Sequence, residues 1–117
     1  MSIFEKSEKE VMGLVTPITQ SMQAGWDEND YDKFSEHFST EMKSDVNIES
    51  FSQQRKELIP ELGKHQEMSF VATHKNPDNF IVIWRLSFSK RELPTLVTYV
   101  FKEIENKLKI AGVMLQS

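Results

Sequence analysis

The stretch that decides the fold is residues 80–101, FIVIWRLSFSKRELPTLVTYVF. Val82, Trp84, Leu86 and Phe88 alternate with Ile81, Ile83, Arg85 and Ser87, and Val97, Tyr99 and Phe101 resume the same two-residue period. Side chains with that period stand on opposite faces of a strand. Residues 80–89 and 95–104 are therefore predicted as two strands joined by the polar loop Lys90-Arg91-Glu92-Leu93-Pro94.

The alternation extends both ways. Asn76-Pro77-Asp78-Asn79 separates a preceding strand over 67–74, and Glu105-Asn106-Lys107 turns the chain into a last strand over 108–116. This gives an up-and-down meander. Upstream, residues 7–62 carry a helical period instead. Ser7 and Glu10 form a capping box, Val11, Leu14, Val15, Ile18 and Met22 line one face, and Gly25 is read as the stop. Pro17 presses on the carbonyl of Gly13, so one kinked helix is expected, with two short helices split at Thr16 as the alternative. Asp30 caps a second helix carrying Tyr31, Phe34, Phe38 and Met42, followed by a short extended piece over 43–46. Asn47 caps a third, with Phe51, Leu58, Ile59 and Leu62 inward, Pro60 distorting its last turn and Gly63 as stop.

Helices first and strands second give an α+β domain over 1–117: three N-terminal helices packed on a curved antiparallel sheet of four to five strands. The face meeting the helices is predicted to carry Met68, Phe70, Ala72, Val82, Trp84, Leu86 and Phe88 from the first two strands. Val97, Tyr99, Phe101, Leu108, Ile110 and Met114 continue it. The opposite face receives Ile83, Arg85, Val100, Val113 and Leu115, too aliphatic for a surface left in water, and these are assigned to a two-fold homodimer interface.

Composition narrows the function classes. At 117 residues the chain buries roughly two-thirds of its unfolded surface, enough for a core without staples. It has no cysteine, which excludes disulfides and thiolate chemistry. A net charge of −4 without a basic stripe argues against nucleic acid. The first residues hold no long apolar run, so no signal or membrane span is expected and a cytoplasmic setting is the default.

The segment WDENDYDKF at 26–34, followed by Phe38-Ser39-Thr40-Glu41-Met42, joins a polar turn to an acidic helix start and an aromatic just before a loop. With the order of helices and strands around it, the chain resembles the nuclear transport factor 2-like superfamily. That cystatin-like α+β cone includes ketosteroid isomerase, scytalone dehydratase and the SnoaL-like domains. The resemblance implies a pocket between helices and sheet. It assigns no catalytic residue. Asp45 lies nearest the isomerases' general base but one residue out of step, which in a strand reverses its direction. His37, His65 and His74 do not match the dehydratase arrangement.

The inner face of the two central strands carries no Asp, Glu, His, Lys or Arg, and general acid–base catalysis needs such a group in reach of the substrate. Only Tyr99 and the Trp84 indole offer polar atoms there. Trp84, Tyr99, Phe34, Phe38 and Phe101 are accordingly assigned to a mainly apolar ligand site. His37 and Glu41, four apart, make a surface pair and too few ligands for a metal. His65 is read as a cap on the carboxyl end of the preceding helix. No cofactor or metal is expected. The favoured reading is a non-catalytic homodimer holding a small apolar ligand. The alternatives are a protein-interaction module on the outer sheet face and an isomerase or dehydratase using Asp45, Tyr31, His37 or Tyr99.

Overall fold

In the computed structural model, which describes residues 5–116, four helices precede four strands. Helix α1 spans Glu8–Glu28 and opens on the capping box: Ser7 accepts from the Glu10 amide while the Glu10 carboxylate takes the Ser7 N–H. It runs unbroken through Pro17 and ends at Asn29, whose φ of 59° is left-handed. Gly25, read as the stop, lies inside this helix. Its missing side chain makes room for the next element, since a Cβ there would collide with the Phe34 backbone, 2.6 Å from its Cα.

The predicted second helix is two. Asp30 caps α2, Tyr31–Ser35, and Ser39 caps α3, Thr40–Asp45. The extended residue lies between them at Phe38, which bridges in parallel to Ile110. Residues 43–46 are not a strand, because the Ser39 hydroxyl accepts from the Met42 amide and starts a helical turn there. Asn47 caps α4, Ile48–Leu62, and Gly63 stops it at a φ of 75°. The strands are β1 (His65–Lys75), β2 (Phe80–Phe88), β3 (Thr95–Ile104) and β4 (Lys107–Gln116), antiparallel in the order β1-β2-β3-β4. This is an α+β fold with helices packed on one curved antiparallel sheet.

The central strands keep the expected alternation. Val82, Trp84, Leu86, Phe88, Val97, Tyr99 and Phe101 are all buried towards the helices. Each such apolar side chain stabilises the fold by roughly 1.5–3 kcal/mol. Aromatic rings close the helical side, with Phe34 4.6 Å from Phe51 and 5.1 Å from Phe38 between ring centres.

The outer strands break the alternation. In β4, Ile110 pairs with Phe101 but Gly112 pairs with Val100, so Ala111 is a surplus residue without a partner. Beyond this β-bulge the faces exchange. Val113 lies opposite Tyr99 and Leu115 opposite Val97, both on the helix side, while Met114 turns outward and is 56% exposed. The assignment of Met114 inward and of Val113 and Leu115 to the outer face is thereby corrected. A bulge at Val71 does the same in β1, putting Ala72 beside Ile83 on the outer face and Thr73 beside Val82 on the inner one. Thr73 donates to the Glu8 carboxylate at 2.9 Å, which fastens this strand to the start of α1.

Candidate functional site: a cavity between helices and sheet

Bulges bend the strands that carry them, and a bent sheet cannot meet straight helices along its full length. A cavity of about 320 Å³ lies where the two layers part. Its floor is the sheet end bearing Leu86, Phe88, Val97 and Tyr99, with Val113 and Leu115 brought in by the β4 bulge. Met22, Gln23 and Trp26 of α1 form one wall, and Leu58 and Leu62 of α4 the opposite one. Phe34, Met42 and Val46 close the end between them.

The sequence-assigned ligand residues divide. Tyr99 and Phe34 line this space. Phe101, fully buried, stacks behind Tyr99 at 6.0 Å between ring centres, and Phe38 is held in the aromatic cluster with Phe34. Trp84 stands apart from the lining, edge-on to Phe70, with its indole N–H buried and without a partner among the described residues. Trp84, Phe38 and Phe101 therefore sit in the core, outside the lining of this cavity. The reason is position along the strand: Trp84 lies two residues further from the open sheet end than Leu86. Of the proposed interface residues, Ile83, Arg85 and Val100 are on the outer face and Val113 and Leu115 in the cavity.

The remaining candidates lie elsewhere. Asp45 is exposed on α3, the Tyr31 hydroxyl donates to the Val46 carbonyl at 2.7 Å, and His37 pairs with Glu36 at 3.2 Å instead of Glu41. Among the described residues no three His, Cys, Asp or Glu side chains come together as a metal site.

Few polar groups face the cavity, and they come from separate elements. The Tyr99 hydroxyl is buried, and burial pushes its pKa up to about 12, an effect that Gln23 beside it partly offsets. It therefore stays protonated at neutral pH and keeps a hydrogen to donate. Gln23 is held in turn by its amide against the Met68 sulfur at 3.3 Å.

On the cavity wall, His65 opens β1 and packs its ring 5.0 Å from that of Phe88. Its Nδ1 is 3.0 Å from Oδ1 of Asp27, which also accepts the His65 main-chain N–H at 3.3 Å. Both side chains are mostly shielded from water, 16% and 21% exposed. This pair went unseen in the sequence. The sequence places Asp27 in the polar turn that follows the first helix and His65 at the carboxyl end of α4, and 38 residues separate them. A polar residue in the last turn of a helix that continues past its glycine was the available signal.

Arg55 secures the neighbouring wall, donating to the Trp26 carbonyl at 2.8 Å with its guanidinium 5.9 Å from both the Trp26 and Phe51 ring centres. No helix among the described residues is long and apolar enough to cross a membrane.

No protein-family model matches the chain, and no curated protein matches it. Solved structures do. The chain is similar to Bd1075 of Bdellovibrio bacteriovorus, with a TM-score of 0.53 and 15% identity, over 86% of this chain and 38% of that one. It is also similar to a de novo designed protein with a curved β-sheet, with a TM-score of 0.55 and 12% identity, over 95% of this chain and 100% of the design. At such identities the likeness is one of fold, and what it supports is helices packed on a curved antiparallel sheet.

Proposed function

We propose that the chain is a nuclear transport factor 2-like domain that works as a non-catalytic cytoplasmic homodimer and binds a small, mainly apolar molecule between its helices and its sheet. The observation that carries this reading is the cavity of about 320 Å³, lined by Leu, Val, Met and aromatic side chains with few polar groups. That combination of an apolar wall and sparse polar anchors is typical of small-molecule sites. The outer sheet face supports the dimer, because Leu96 and Met114 are exposed there beside Ile83 and Val100. The same face favours a second reading, an interaction module for a different polypeptide.

Native mass spectrometry on freshly purified protein, set against its denatured mass, tests the proposal. A dimer with extra mass that disappears on denaturation is the expected result. Protein without extra mass, whose melting temperature no small apolar compound raises, would make the cavity a gap in the core.

A further inference from the structure

Resting on the cavity reading above, we infer that the Asp27–His65 pair makes the cavity selective for a ligand with a hydroxyl group on an apolar body. An imidazole with one nitrogen held by a carboxylate has its tautomer fixed. Asp27 accepts at Nδ1, so the hydrogen of the neutral ring lies there and Nε2 is left as an acceptor. The second contact, from the His65 main-chain N–H to the same oxygen, keeps the carboxylate in place for that role. Nε2 has no partner among the described residues, and the ring is part of the cavity wall.

The other polar groups of the lining, the Tyr99 hydroxyl and the Gln23 and Gln54 amides, each offer both a donor and an acceptor. They can pair with a ligand hydroxyl or with an ether or carbonyl oxygen. His65 Nε2 differs in that it can only accept, so a ligand O–H satisfies it and an ether oxygen does not. A bound molecule without a donor leaves that nitrogen desolvated and unpaired, and this asymmetry gives selectivity.

The probes are 4-tert-butylcyclohexanol and its methyl ether, which share one apolar body and differ in the hydrogen. Binding is read by titration calorimetry and by the fluorescence of Trp26, which lines the cavity while Trp84 does not. The alcohol should bind about tenfold more tightly than the ether. His65→Leu should bring that ratio to about one while the ether still binds. Asp27→Ala should narrow the ratio, since the ring is then free to place its hydrogen on either nitrogen.

His65→Gln supplies the comparison if the leucine variant does not fold, and the wild-type ratio stands without either. Equal binding of both probes to the wild type, or a ratio that His65→Leu leaves intact, would overturn the inference and leave the apolar site standing. Failure of both probes to bind would remove the site, and the selectivity with it.

Discussion

Tyr99 is only 2% exposed, and this has a consequence for alkaline stability. An unfolded tyrosine loses its proton near pH 10, whereas burial lifts the folded group to about 12. The folded state is thus the tighter proton binder. Its contribution is fully present below pH 10 and is lost as pH rises from 10 to 12, by up to about 3 kcal/mol. Urea unfolding in steps from pH 9 to 12 should show that loss, and Tyr99→Phe should remove this part of the slope. Identical slopes in the two proteins would contradict it. At this scale the sequence is a partial guide. Tyr99 could be placed inside from its strand period alone, but the partner of His65 could not, because nothing local links a strand's first residue to a carboxylate 38 residues earlier.

Elements were legible where a residue type has one local job. Ser7 with Glu10, Asp30, Asn47 and Gly63 cap or stop helices as their chemistry dictates. Gly25 misled because a glycine serves two ends, positive φ or close approach, and here it serves the second. The main-chain N–H of Asp30 donates to the Gly25 carbonyl at 2.8 Å, which draws α2 directly against α1. Gly25→Ala should therefore lower stability by about 3 kcal/mol by forcing this join apart. Chemical denaturation measures it, and a loss of a few tenths would mean that α2 shifts freely. The bulges were hidden for a different reason. A surplus residue such as Ala111 changes no composition and interrupts no apolar run, yet it reverses every side chain after it.

For the whole molecule, that reversal redraws the surface available to a second copy. Met114, not Val113, is the outward residue of β4. Ile83→Asp and Met114→Asp should each convert a dimer to a folded monomer, weakening association at least about a hundredfold. Light scattering behind size exclusion reads the mass. Val113→Asp, on the cavity side, should act differently, lowering the melting temperature through a carboxylate forced into an apolar wall. If Ile83→Asp and Met114→Asp both stay dimeric, the two copies meet through another surface.

The rim of the sheet at β4 is also occupied. The outward main-chain groups of Ile110, next to Ala111, are both paired: its N–H donates to the His37 carbonyl at 2.7 Å and its carbonyl accepts from Ser39 at 2.9 Å. A foreign strand seeking an unpaired border finds this stretch already taken, and at the opposite rim β1 is interrupted at Val71 and again between His65 and Met68. The covered rim of β4 and the irregular rim of β1 thus both guard the chain against edge-to-edge addition of copies through its sheet.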